Sequence, residues 1–218
     1  MTAPRRIRRL PERSRTERAE LDAVLDATLV ATLSTVVDGA PWVVPMLAVR
    51  DGDRILLHGS TGAGALRHVA AGAAAAVSVV HLDGVVVAHN TFDSSANYRS
   101  AVVYGTLEPI LDAEDKRQAL DRVSDAVLPG RGEEVVPMTD KEVAATQVMA
   151  LSITDGEWLV KVRTGGPGAA PHGTTAWTGV VPLRVVADEP LADERCQGEP
   201  VPGSVRERVA RGAAAGAS

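Results

Sequence analysis

The stretch best suited to chemistry is residues 53–72, DRILLHGSTGAGALRHVAAG. A short apolar run (Ile55, Leu56, Leu57) ends at His58, and the small residues Gly59, Ser60, Thr61, Gly62 and Gly64 lead into a helical segment over about 64–71. A strand that stops at a Gly/Ser/Thr turn and feeds a helix presents free backbone N–H groups and the positive end of a helix dipole, a setting that suits a phosphate. Arg67, inside that helix, adds a positive charge. The spacing is neither GxGxxG nor GxxxxGK[ST], so taken alone the turn reads equally as a plain connection. Lys161 and Arg163 form a second group. Two apart in a β-type run, they project from one side, opposite Trp158, Val160 and Val162. They suit a phosphate or carboxylate partner, or equally a solvated charged face.

The five histidines, His58, His68, His81, His89 and His172, show no metal-ligand spacing with carboxylates on a helix. His68 reads as solvated. His81 and His89 flank Asp83-Gly84 and are expected to be cross-strand neighbours over a hairpin. There is no nucleophile elbow, and the one cysteine, Cys196, lies in a polar tail. Hydrolytic, disulfide and paired-thiol chemistry therefore have no support. Pro45 interrupts the run 41–49 and cannot donate to a sheet ladder, so it marks an edge or a bulge. The vacancy suits a ligand edge or nothing at all, and Gly105 raises the same question of close backbone approach.

The elements that position these residues are mostly strands. Ser14-Arg-Thr-Glu17 has capping-box spacing and predicts a helix over 15–27 with Leu21, Val24 and Leu25 inward. The β-branched run 29–36, the Asp38-Gly39 turn and the run 41–49 predict a hairpin. The turn 50–53 leads to the strand ending at His58. Runs at 73–82 and 85–91 are divided by Asp83-Gly84, which reads as a third turn. A polar loop over 92–97 precedes a strand over 100–107. Asp112 opens a helix over 113–127, and Thr139-Asp-Lys-Glu142 is a second capping box. Runs 148–154 and 158–163 around Asp155-Gly156 predict a last hairpin. A strand-like run at 177–186 follows the Gly/Pro-rich segment 165–175. Short β-branched runs with Asp-Gly turns and few helices argue an antiparallel barrel rather than a βαβ layer.

The chain has 218 residues, 45% of them hydrophobic and only 3% aromatic, so the core is built from Val, Leu and Ala. A net charge of −5 argues against a general nucleic-acid binder. The exception is local: Arg5, Arg6, Arg8, Arg9, Arg13, Arg15 and Arg18 crowd the start, read as a solvated, partly disordered basic arm over 1–13. Residues 14–186 read as one domain and 187–218 as a flexible tail or loose helix. No apolar run is long enough to span a bilayer and no export signal follows the arginines, so the protein reads as cytoplasmic.

The segments ERAELDAVLDATLVATLSTVVDGAPWVVPML, DGDRILLHGSTGAGALRHVAAG, NYRSAVVYGTLEPI, LVKVRTGGP and WTGVVPL, in this order, resemble the pyridoxamine 5′-phosphate oxidase-related proteins, and among them the flavin-nucleotide-binding subgroup that includes nitroimidazole-resistance proteins. The resemblance runs over about 12–186. It implies a mainly β fold with peripheral helices, a split antiparallel β-barrel that forms a homodimer with FMN between the subunits. By position it implies that His58, Gly59, Ser60, Thr61 and Arg67 meet the flavin phosphate and that Val44, Pro45 and Met46 lie along the ring. Tyr98, Arg99 and Ser100 would stand beside the cofactor, and Lys161 and Arg163 would approach it from the same or the partner subunit. Two departures stand out. The segment 165–175 replaces an acidic run, and His89 stands where an arginine is expected, which permits haem ligation. The expectation is an FMN-dependent oxidoreductase acting on a small molecule. The alternatives are a haem enzyme with His58 or His89 as axial ligand, and a non-catalytic flavin-binding or regulatory protein whose basic arm contacts DNA or another partner.

Overall fold

Asp38 and Gly39 both take positive φ, 49° and 78°, the backbone of a two-residue hairpin turn whose twist matches its strands. They join β2 (Val30–Val37) to β3 (Ala40–Asp51), paired along the whole of β2 from Val30↔Leu47 to Val37↔Ala40. A second tight turn, with Gly52 at φ 59°, leads to β4 (Arg54–Ser60). The computed structural model describes residues 5–196 and 198–217; residues 1–4 of the expected arm, and Gln197 and Ser218 of the expected tail, lie outside the described residues.

Among the described residues nine strands form one sheet in the order β1-β8-β6-β7-β4-β3-β2-β5-β9, and a further β6–β5 pairing closes β2, β3, β4, β7, β6 and β5 into a barrel. Here β1 is Ser14–Arg15, β5 Ala74–Val87, β6 Ser95–Pro109, β7 Thr146–Ser152, β8 Glu157–Arg163 and β9 Gly179–Pro182. The mainly β class and the split-barrel architecture are as the resemblance implied. The barrel is filled by Leu33, Ile55, Leu57, Val77, Val103, Leu107, Met149 and Leu151, and α1 (Arg18–Asp26) adds Leu21, Val24 and Leu25. Outside the barrel, α3 (Ala113–Val127) and α4 (Asp140–Ala145) pack Leu120, Val123 and Val143 on Val49, Leu56 and Val148. Asp112 accepts from the N–H groups of Glu114 and Asp115, and Thr139 with Glu142 forms the expected capping box.

Three sequence expectations give way. Ser14 does not cap α1: it lies in β1, paired with Lys161, because the open edge of β8 offers it a ladder instead. Asp83-Gly84 is not a turn but a bulge inside β5, which runs unbroken from Ala74 to Val87. His81 therefore faces Arg99 across the ladder, and His89 lies in the loop beyond the strand. The strands either side of Asp155-Gly156 do not pair with each other. They part to flank β6, β7 at Leu107–Pro109 and β8 at Tyr98–Tyr104. The tail also carries more order than a loose helix over 205–214 implies. α5 (Gly203–Ala217) docks through Ser204, whose N–H and hydroxyl both donate to the Glu134 carboxylate, at 3.0 and 2.5 Å. Among the described residues no helix is long and apolar enough to cross a membrane.

Gly156 carries the parting of β7 from β8. A Cβ there would stand 2.6 Å from the Ser152 carbonyl oxygen and 3.0 Å from that of Tyr104, both backbone atoms. Gly156→Ala is therefore expected to cost about 2 kcal/mol or more of folding stability, read as a lower denaturation midpoint. Gly132→Ala, with nothing within 4 Å of its Cβ, serves as the control.

Candidate functional site

The ladder between β3 and β4 is short: it runs from Asp51↔Arg54 to Ala48↔Leu57 and stops. Beyond that rung β3 continues on β2 alone, to Ala40, and β4 continues on β7 alone, through His58↔Val148, Gly59↔Gln147 and Ser60↔Thr146. The two strands diverge, and the split between them has two lips. Val44, Pro45 and Met46 lie on one and His58, Gly59 and Ser60 on the other. Pro45 falls where β3 has no second neighbour, which is where a residue without an N–H costs no ladder bond.

The helix α2 (Gly64–Ala70) bridges this split. Leu66 and Val69 enter the barrel core. Gly64 lies against the Trp42 indole, so close that a Cβ would come within 2.7 Å of the ring. His68, rather than being merely solvated, holds the Val36 carbonyl through Nε2 at 2.9 Å. At the corner joining β4 to α2, three of the amides are already engaged. Thr61 N–H donates to the Ala145 carbonyl, Gly62 N–H to the Ser60 hydroxyl and Ala63 N–H to the Ser60 carbonyl. An anion at this corner would meet the Ser60 and Thr61 hydroxyls and the exposed Arg67, and the first-turn amides of Gly64, Ala65 and Leu66 have no partner among the described residues. Among the described residues Arg67 has no ion-pair partner.

The His58 side chain makes no hydrogen bond among the described residues, and its Nδ1 is buried without a partner. Burial alone pushes its pKa below the ordinary 6.5, because the charged imidazolium is poorly solvated there. His81 behaves similarly. Burial and then the Arg99 charge push it down, with Asp83 opposing, and its Nε2 is buried and unpartnered. His89 also has a buried nitrogen without a partner, Nδ1, but Asn90 Nδ2 lies 2.9 Å from its Nε2, and Asp93 stands 3.8 Å away.

The Tyr98-Arg99-Ser100 segment divides between two faces of β6. Tyr98 and Ser100 pair with Arg163 and Lys161 on the neighbouring strand, and alternation sends Arg99 to the opposite side. There its guanidinium is held by both oxygens of Asp83, at 2.8 to 3.2 Å. Lys161 and Arg163 share one side of β8, as their spacing requires. Lys161 Nζ donates to the Arg9 carbonyl at 3.1 Å, and Arg163 donates to Asn97 Oδ1 at 2.6 Å. Sequence reasoning missed Asp83, taken for a turn residue, and Asn97, assigned to a polar loop. The one signal for Asn97 was its place directly before Tyr98.

Because His58 and His81 both resist protonation when folded, their contribution to stability is present above pH about 6.5 and is lost as the pH falls below it. Thermal denaturation of His58→Gln is expected to show a smaller loss of midpoint between pH 7.5 and 5.5 than the unaltered chain. An equal or larger loss would contradict the burial argument.

Residues 17–157 match the pyridoxamine 5′-phosphate oxidase family. No curated protein matches the chain. Among solved structures, the FAD and heme binding protein from Mycobacterium smegmatis is 44% identical, with a TM-score of 0.87 over 90% of this chain and 97% of that one. The flavocytochrome Anf3 from Azotobacter vinelandii is 31% identical, with a TM-score of 0.86 over 93% and 94%. A putative 5-nitroimidazole antibiotic resistance protein from Bacteroides thetaiotaomicron shares the fold at 20% identity, with a TM-score of 0.56 over 67% and 86%. The family match covers more than half the chain and these two similar structures nearly all of it, so the split barrel with its divergent β3 and β4 belongs to the pyridoxamine 5′-phosphate oxidase family.

Proposed function

We propose that this protein is a flavin-nucleotide-dependent oxidoreductase acting on a small molecule. The observation that carries the reading is the split itself. Its two lips bring Val44, Pro45 and Met46 opposite His58, Gly59 and Ser60, with Arg67 at the same corner. Ser60, Thr61 and Arg67 would take the phosphate end through hydroxyls and a guanidinium. Val44 and Met46 would supply apolar contact for the ring, and Pro45 a lip with no competing ladder bond. Tyr98, Ser100, Lys161 and Arg163, from β6 and β8, would close the other side. When bound, the flavin supplies hydride or electron transfer, and the chain supplies orientation and charge. The similar structures include one named as binding FAD and heme, so the flavin considered is FMN or its dinucleotide form.

The seam expected between two copies has a candidate face. On the outer side of the sheet Val80 is 70% and Leu82 54% exposed. The bulge keeps this strip in phase: Leu82 pairs with Tyr98 and Val85 with Ala96, two residues apart, so Val85 emerges on the same side. Val85 in turn pairs with Val181 of β9, extending the apolar strip onto a further strand. A strip of this kind on a monomer marks an interface, and a homodimer with the flavin at its seam would cover it.

A second reading, haem ligation, is favoured by one observation. The His58 imidazole is kept neutral by burial and has no protein partner among the described residues, the state a ligand histidine needs. His89 is engaged at Nε2 by Asn90 and leaves only its buried Nδ1 without a partner. The similarity to a flavocytochrome makes flavin and haem compatible rather than exclusive.

The absorption spectrum of the protein as purified, before and after reconstitution with FMN, FAD and haemin, tests both readings. Flavin bands are expected, and a colourless protein that takes up neither flavin would overturn the first reading. If haem binds, its Soret band is expected to vanish in His58→Ala and persist in His89→Ala. Leu82→Glu is expected to give a monomer by sedimentation, with flavin lost in parallel.

A further inference from the structure

The arginine-rich segment at the start of the described chain is seated on the sheet rather than free in solvent. Arg5 makes three contacts at the beginning of β8. Its guanidinium lies 4.0 Å over the Tyr104 ring and pairs with Glu157 Oε2 at 2.7 Å, and its backbone N–H donates to Glu157 Oε1. Further along, the Arg9 carbonyl accepts from Lys161 Nζ at 3.1 Å. The segment 5–9 therefore runs beside β8 in the same direction, from Glu157 to Lys161. The side chains it touches share one side of the sheet: Tyr104 pairs with Glu157 and Ser100 with Lys161, and alternate residues of a strand face alike. The chain then reverses at Leu10 through one turn of 3-10 helix over Pro11–Arg13. It returns as β1, antiparallel on the edge of β8, with Ser14 opposite Lys161.

The two ends of this loop are held unequally. At the base the hold is a ladder: β1 pairs with Lys161 and Val160, while Arg15 donates to the Glu12 and Ser14 carbonyls and meets Glu20 of α1 at 3.1 Å. At the tip the hold passes through one residue. The Arg5 and Glu157 side chains are 48% and 37% exposed, and an ion pair or a cation–π contact in that setting is individually weak. Between base and tip Leu10 takes φ 55°, left-handed backbone that a residue with a Cβ adopts at a cost. Four of the residues 5–9 are arginines lying beside Lys161, and like charges add to the tendency to part. Strain and repulsion thus favour an open form, and the Arg5 contacts oppose them.

We infer that residues 5–9 are a strap, hinged at Leu10 and clasped by Arg5 on Glu157 and Tyr104, that closes over the outer side of β8 and admits small anions to Lys161 only when the clasp opens. Closed, it engages the Lys161 ammonium with a backbone carbonyl and covers one face of the Tyr104 ring. Open, it leaves that ammonium free on the same side of the sheet as Tyr98, Ser100 and Arg163. Closure is a property of the protein without any cofactor, so it stands or falls apart from the flavin reading.

Sulfosuccinimidyl acetate, a small anionic reagent that acylates free amines, reads the opening of the strap when labelling is followed by mass spectrometry. Lys141, exposed on α4, is the internal standard. Arg5→Ala and Glu157→Ala are each expected to raise the labelling rate of Lys161 relative to Lys141 about fivefold. The double variant should label no faster than the faster single one, because both remove the same clasp. Arg6→Ala, next along the segment and without a hydrogen bond or ion pair among the described residues, should leave the ratio within about twofold. A ratio unchanged in both clasp variants, or raised as much by Arg6→Ala, would overturn the strap. So would a rise at Lys141 in step with Lys161, the sign of general loosening.

Discussion

The constraint on which the structure depends is the early end of one ladder. β3 and β4 exchange partners only from Asp51↔Arg54 to Ala48↔Leu57, although β3 runs on to Ala40 and β4 to Ser60. Two strands leaving each other expose backbone edges, and a protein must cover such edges or use them. Here α2 crosses the gap, burying Leu66 and Val69 in the barrel, resting Gly64 on Trp42 and tying His68 to the Val36 carbonyl. One helix of seven residues closes the barrel on the inside and leaves the outer lips of the split open. The candidate site is what remains when β3 and β4 do not pair to their ends.

Rigidity around that opening comes from the two cores either side of the sheet. Leu56 and Leu57 are successive residues with no exposed surface, yet one belongs to the cluster under α3 and the other to the barrel interior. β4 is therefore packed on both faces up to the residue before His58. The network linking α1 to the β3–β4 turn, with Arg18 on Asp22 and Asp53 and Arg50 on Asp26, holds the base of the same hairpin. Exposed pairs of this kind contribute little stability one by one. Their effect is on register, keeping the rungs at 48–51 and 54–57 aligned so that the divergence falls at a fixed residue.

Local signals carried most of the fold. The Asp38-Gly39 turn, the Asp112 cap and the Thr139/Glu142 box are decided within a few residues, and each appears where the sequence places it. The failures are all tertiary. Asp83-Gly84 has turn chemistry, but β6 offers β5 a partner on both sides of it, and a one-residue bulge costs less than ending a long ladder. Asp155-Gly156 looks like the tip of a hairpin, yet its strands pair elsewhere, and Gly156 is needed for close approach to two carbonyls. For the candidate site, position along the chain showed which residues to consider and strand alternation showed that Lys161 and Arg163 share a side. It could not show that Arg99 turns to Asp83 while its neighbours Tyr98 and Ser100 face the other way with those cations. That depends on an acidic partner made available by the bulge.

The distribution of charge then follows from the same topology. The chain is acidic as a whole, at −5, so an anion is repelled at long range except where cations are left without a carboxylate partner. Carboxylates sit where they neutralise arginines on the outside of the hairpin and helices: Asp22, Asp26 and Asp51 around β3 and β4, Asp140 beside α3. Arg67, Lys161 and Arg163 stand apart from these among the described residues, with no carboxylate in ion-pair range. Adding a carboxylate beside any of them would gain little stability at the surface but would cancel a positive charge the fold leaves uncompensated. The neutral acceptors that hold Lys161 and Arg163 thus make physical sense together. They fix two flexible side chains and leave both charges uncompensated.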